Sequence, residues 1–141
     1  MKRNAAFALA SAIGLSPNYA QAAGNGFDGK WNAAHECKDA PGGGDAFTVF
    51  YSGNITNGNI NITRRKEGVD GYFHLTGHVN SDGTTSNLHM AGQTGLPKYN
   101  VRHVKSGIVF DYPVTGSFTP NRAVLQRADG VRDCTITLTR G

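Results

Sequence analysis

The sequence predicts an all-β protein, an up-and-down antiparallel barrel of about eight strands with one disulfide. Three observations carry this reading. Turn-forming glycines recur at Gly58, Gly83, Gly107 and Gly130, about 24 residues apart, between runs rich in Thr, Val and Ile. No stretch of ten residues repeats its apolar positions with the 3.6-residue period of a helix, and 19 glycines are spread along the chain. Cys37 and Cys134 fall near the two ends of the expected mature chain with inward-facing parity, where a bridge would sit as the first and last strands meet.

The first 22 residues stand outside that fold. Lys2 and Arg3 make a basic start, Ala5 to Leu15 is apolar, and Ala20-Gln21-Ala22 fits a small-x-small cleavage site, so 1–22 reads as a signal peptide cleaved after about Ala22. A periplasmic or secreted protein is expected. No later segment approaches the roughly 20 apolar residues of a membrane helix. Removing 22 of the 141 residues leaves 119, enough for a single domain over 23–141. Losing Lys2 and Arg3 lowers the formal charge from +4 to about +2. The remaining basic residues are scattered, and Arg64-Arg65-Lys66 reads as a solvated strand end, so no nucleic-acid partner is expected.

In chain order, Trp31 to Cys37 alternates with Trp31, Ala33, His35 and Cys37 on one face. Asp39 to Asp45, with Pro41 and three glycines, breaks the strand into a mobile loop. Ala46 to Gly53 is aromatic and β-branched, and Asn57-Gly58 turns it into Asn59 to Arg65, with Thr56 opposite Asn59, Ile55 opposite Ile60 and Gly53 opposite Ile62. Asn54-Ile55-Thr56 and Asn61-Ile62-Thr63 match glycosylation sequons but read as ordinary strand and turn residues.

The central hairpin spans Gly71 to Gly92 about Asp82-Gly83. A two-residue type I′ turn with Ser81 paired to Thr84 sets Val79 opposite Ser86, Gly77 opposite Leu88 and Leu75 opposite Met90. The other face carries His74, Thr76, His78, Asn87 and His89. Beyond it, Tyr99 to Val104 either pairs with the following strand across Ser106-Gly107, placing Arg102 opposite Asp111, or belongs to a long loop from Gly95 to Gly107. In a pure meander the two edge strands pair antiparallel only if the strand count is even, which favours eight strands and the loop, lying over one barrel mouth. The last hairpin, Arg122 to Arg140 about Asp129-Gly130, is expected to set Leu125 opposite Cys134 and Ala123 opposite Ile136.

A Cys37–Cys134 disulfide closes about 97 residues, worth roughly 4 to 5 kcal/mol at most on the chain-entropy account. The alternative, metal-binding or reactive thiols, finds no CxxC and a single nearby imidazole, His35, two residues before Cys37.

Phe27, Gly29 and Trp31 form Phe-x-Gly-x-Trp, which resembles the opening of the calycin superfamily, the lipocalins and avidins, whose tryptophan plugs one end of the barrel. A resemblance covering nearly all of 23–141 is to small exported proteins of Gram-negative bacteria with that motif, a nearby Cys (Cys37), Val-x-x-Asp-Gly (Val79 to Gly83), a Gly-x-Thr-Gly-x-Pro-x-Tyr-like stretch (Gly92 to Tyr99, one residue different in spacing), and a closing Cys-x-Ile-x-Leu-x-Arg (Cys134 to Arg140). It implies fold and compartment, and no activity. The further pocket tryptophans of avidins are missing, so biotin binding is not implied.

Ligand-binding barrels use the interior or its mouth. The candidates are Trp31, Phe50, Tyr51, Tyr99, Arg102, His103, Phe110 and Tyr112, with Arg102 and His103 placed to clamp an anionic head group. Against them stands a filled core of aromatics with loop cations at its surface. His74, His78 and His89 share an outer face and form a weak metal candidate without an acidic residue to orient them; no metal or other cofactor is expected. No nucleophile elbow appears, and His103 with Asp111 is the lone acid–base pair that proposed strands bring near, so no enzyme is expected. The expected function is binding of a small amphipathic or aromatic ligand. The alternative is a protein-interaction module, such as an inhibitor of a secreted protease or other hydrolase, since the Gly-x-Trp strand, following Cys and single disulfide also resemble small bacterial protease-inhibitor barrels. Oligomeric state stays open.

Overall fold

Eight runs of alternating residues become eight strands: β1 Gly29–Cys37, β2 Phe47–Thr56, β3 Asn59–Arg64, β4 Phe73–Val79, β5 Thr85–Gln93, β6 Val109–Thr119, β7 Arg122–Arg127 and β8 Cys134–Arg140. In the computed structural model, which describes residues 25–141, they pair antiparallel in chain order and β8 closes on β1. The expected leader, 1–22, lies outside the described residues. Two single-turn 3-10 helices, Pro97–Tyr99 and Val101–His103, interrupt the β5–β6 connection. Among the described residues no helix is long and apolar enough to cross a membrane.

Closure follows the inward alternation. Trp31, Ala33, His35 and Cys37 of β1 are buried, and Cys37 stands directly opposite Cys134, to which it is disulfide-bonded. Ile55, Ile60, Ile62, Leu75, Met90, Leu125, Ile136 and Leu138 fill the lumen, each contributing about 1.5–3 kcal/mol by its transfer from water.

The two ends of the barrel differ. At one end the reversals are short. Asn57 (φ 52°) and Gly58 (φ 79°) make a type I′ turn whose amides donate to the Asp28 carboxylate at 2.7 and 3.0 Å, and the predicted β2–β3 register holds. Trp31 plugs this end. Its Nε1–H donates to the Phe27 carbonyl at 2.7 Å, Phe118 meets it edge-on at 5.2 Å, and the Arg140 guanidinium covers its ring at 4.9 Å. Arg140 also donates to the carbonyls of Asp28 at 2.7 Å and Pro120 at 3.0 Å, and to that of Gly26, tying the last strand to the lead-in of the first.

The central hairpin departs from its predicted turn. Gly83 N–H donates to Asn80 O and Asn80 N–H to Thr84 O, with Gly83 at φ 88°: a type I turn closed by a glycine bulge, not a two-residue type I′ turn. Val79 therefore faces Thr85, and His78 faces Ser86, one residue off the expected ladder. A second bulge at Gly77 (φ 147°) and Asn87 (φ 52°) absorbs the offset, so Leu75 meets Met90 as expected. The last hairpin slips by two residues: Leu125 faces Ile136 and Ala123 faces Leu138, because Ala128 to Asp133 forms a broad loop. A two-residue slip preserves the inward face, and Leu125 and Ile136 are both buried. Tyr99 to Val104 is not a strand, so Arg102 does not pair with Asp111, and Gly107 and Gly130 lie within longer loops instead of tight hairpin reversals.

Candidate functional site

The opposite end carries every long connection: 38–46, 65–72, 94–108 and 128–133. The 94–108 segment folds across the mouth and is tied down by its own polar groups. Asn100 Nδ2 donates to the carbonyls of Gly95 at 2.8 Å and Val104 at 2.9 Å, and Ser106 Oγ donates to Gly95 O at 2.8 Å. Arg102 N–H donates to Gly43 O, and Asp45 N–H to Lys98 O, so the glycine-rich 39–45 loop is stitched to this segment. Arg102 and His103 both take left-handed backbone (φ 56° and 53°), a conformation that non-glycine residues hold at a cost of about 1 kcal/mol or more.

The knot of the mouth is Arg132, only 5% exposed. Its guanidinium donates to Lys38 O at 2.8 Å, Tyr99 O at 2.6 Å and Asp45 O at 2.7 Å, and lies 5.0 Å over the Phe47 ring. Two loops, 38–46 and 94–108, thus converge on one buried cation carried by a third, 128–133, and carbonyl dipoles satisfy it. Burial, with Arg127 nearby, lowers its pKa from the ordinary guanidinium value.

Beneath the 94–108 segment lies a cavity of about 370 Å³, walled by Phe47, Phe73, Tyr99, Val104, Ile108, Phe110, Tyr112 and Val131. Its charged lining is three guanidinium groups, those of Arg102, Arg127 and Arg132, with no carboxylate. Arg127 is compensated from outside by a bidentate pair with Asp129 at 2.8 and 2.9 Å and stacks 3.9 Å over Tyr112. An adjoining cleft of about 570 Å³, sharing Phe47, Phe73, Tyr99 and Asn100, is more polar, with Arg64, Arg65 and Asp70 in its wall.

Below the aromatic wall, the buried His35 ring meets the Tyr51 hydroxyl at 3.0 Å through Nδ1 and faces Cys37 Sγ at 3.5 Å through Nε2. Burial, reinforced by Arg127, Arg132 and Arg64, lowers the His35 pKa to about 4, so the imidazole is neutral at physiological pH. Burial raises the Tyr51 and Tyr112 pKa values, keeping both phenols protonated.

Of the residues proposed from sequence, Tyr99, Arg102, Phe110 and Tyr112 line the cavity. Tyr51 stacks on Phe73 at 6.3 Å but does not line it. Trp31 lies at the plugged end, Phe50 projects into solvent at 76% exposure, and the exposed His103 ring meets the Pro97 carbonyl at 3.0 Å. Phe50 and Tyr51 are consecutive on one strand, so only one can face inward. Phe47, Phe73, Arg127 and Arg132 went unrecognised; the β2 alternation pointed to Phe47, and Arg132 shares the inward parity of Cys134.

The outer histidines are separately engaged: His74 with Asn61 at 2.8 Å, His78 with Asn59 at 3.2 Å and His89 with Asp111 at 3.0 Å. An acidic residue does reach this face, since Asp111 partners His89 and not His103. Among the described residues, the one group of three potential metal ligands with donor atoms within 4.8 Å of one another is His35, Cys37 and Cys134. Comparison of the chain with protein-family models, curated proteins and solved structures returned no match.

Proposed function

We propose that this barrel binds a small amphipathic ligand, with an aromatic or aliphatic body and an anionic head, in the cavity beneath the 94–108 segment. The observation supporting this reading most directly is the pairing of an apolar, aromatic wall with guanidinium groups and no lining carboxylate. An apolar body would lie against Phe47, Phe73, Phe110 and Tyr112. The head would meet Arg102, whose side chain is exposed at the rim and which has no carboxylate partner among the described ion pairs. Trp31 plugs the far end, and the cavity and its adjoining cleft both lie at the mouth, which is the entrance this reading uses. The reading as a protein-interaction module draws on Leu96, 67% exposed on the same segment.

Mass spectrometry of small molecules retained through native purification, followed by titration with 1-anilinonaphthalene-8-sulfonate, tests the proposal. One-to-one binding is expected, weakened about 5- to 30-fold by Arg102→Ala, as for loss of one charge-assisted contact of about 1–2 kcal/mol. Absence of a retained molecule together with no saturable dye binding would overturn it. Inhibition of a secreted hydrolase, abolished by Leu96→Asp, would favour the second reading.

A further inference from the structure

The disulfide lies within the mouth chemistry. Cys37 lines the cavity, and its sulfur faces a buried imidazole nitrogen. From these contacts we infer that reduction of Cys37–Cys134 converts the upper lumen into a metal site, in which His35 Nε2 and the two thiolates bind a soft or borderline divalent cation of the Zn²⁺ class.

The geometry supports this in four ways. First, all three donor atoms lie within 4.8 Å of one another. With Zn–S about 2.3 Å and Zn–N about 2.0–2.1 Å, tetrahedral ligands stand about 3.5 Å apart for N and S. His35 Nε2 and Cys37 Sγ already stand at 3.5 Å. Second, strand pairing fixes the frame: His35 and Cys37 are two apart on the inward face of β1, and Cys134 is the direct partner of Cys37 on β8. Opening the bond asks for side-chain rotation and no change of register. Third, the Tyr51 hydroxyl accepts from His35 Nδ1–H at 3.0 Å in the tautomer that leaves Nε2 free, the outer contact that ligating histidines ordinarily have. Fourth, Cys37 borders the cavity, so a reductant and an ion have a path, and a fourth coordination position would face that space.

The electrons balance with a dithiol as reductant. Its thiolate attacks Cys37 Sγ, the S–S bond breaks, and Cys134 leaves as a thiolate that takes a proton. The second thiol resolves the mixed disulfide, returning Cys37 as a thiol and the reductant as its own disulfide. Metal binding then displaces two thiol protons. Exchange with a disulfide oxidant, which takes the two electrons and leaves as a dithiol, would re-form the Cys37–Cys134 bond and expel the ion, so the protein would carry metal in the reduced state alone.

The test uses purified protein reduced with a phosphine, desalted without air and equilibrated with Zn²⁺ or Co²⁺ alone, beside the oxidised protein. One metal per reduced chain and none per oxidised chain is expected, with a thiolate-to-Co²⁺ charge-transfer band that disappears on reoxidation. His35→Gln should weaken binding by about tenfold or more, and Tyr51→Phe by up to about tenfold. Should the reduced chain lose its β circular dichroism, Zn²⁺ is expected to restore it in the wild type and not in His35→Gln. Four results would overturn the inference: equal metal content in both redox states, no binding by the reduced chain, binding indifferent to His35→Gln, or an unfolded reduced chain that Zn²⁺ does not refold.

Discussion

Arg132 donates to the Tyr99 carbonyl at 2.6 Å, so the segment over the mouth is tied to the loop that enters the last strand. Hydrogen bonds from a charged donor are worth roughly 1.5–3 kcal/mol each and are not additive within one group. Arg132→Met should therefore cost about 2–4 kcal/mol in urea unfolding and raise amide exchange across Asn100 to Val104. Arg132→Lys should recover only part, because a point charge cannot reach all three carbonyls.

The disulfide-closed, metal-free protein should lose stability on mild acidification through His35. Its pKa is about 4 in the fold against 6.5 as the ordinary value, so between these limits the unfolded chain binds the extra proton. Stability is then full above about pH 6.5 and declines by about 1.4 kcal/mol per unit as pH falls toward 4, on the order of 3 kcal/mol in all. Unfolding of wild type and His35→Gln at pH 7.5 and 4.5 measures it; the wild type should lose about 2–3 kcal/mol more than the variant between the two.

Two glycines with nearly the same φ separate conformation from crowding. Gly83 (φ +88°) would place a Cβ 2.2 Å from the Phe118 carbonyl, whereas Gly68 (φ +86°) has open space. Gly68→Ala should cost only the left-handed penalty of about 1 kcal/mol. Gly83→Ala should cost clearly more, read as a lower urea midpoint, and should disturb the β4–β5 turn.

Trp31 fluorescence should not report on a ligand in the mouth. The indole is sealed among Phe27, Phe118 and Arg140 at the plugged end and does not line the cavity. Titration with the anionic dye should leave direct Trp31 emission, excited outside the dye's absorption, close to its starting position, while Tyr99→Ala weakens dye binding. A large shift of that emission on binding would locate the ligand deeper in the lumen.

Local chemistry made the sheet legible. Asn57-Gly58 fixed a turn and its register because both residues accept positive φ, and inward parity located the Cys37–Cys134 bridge. Registers failed where backbone irregularity intervened: Gly77 and Asn87 carry a bulge that alternation of side chains does not announce, and the loop before Cys134 is longer than its Asp-Gly pair suggests. The candidate site was half legible. Tyr99, Phe110 and Tyr112 stand out as aromatics, but a buried arginine in a loop looks like any solvated cation until three carbonyls from distant segments are seen around it.

The latch that Arg140 makes with Gly26, and the bond from Gly141 N–H to Lys30 O, bring the two described ends of the chain side by side on the pole away from the cavity. A tag, bead or fusion partner joined after Gly141 would therefore anchor the molecule by its base and leave the opening unobstructed. A circularly permuted version, with those ends spliced and new ones cut at the exposed tip around Gly68, should retain the same sheet order.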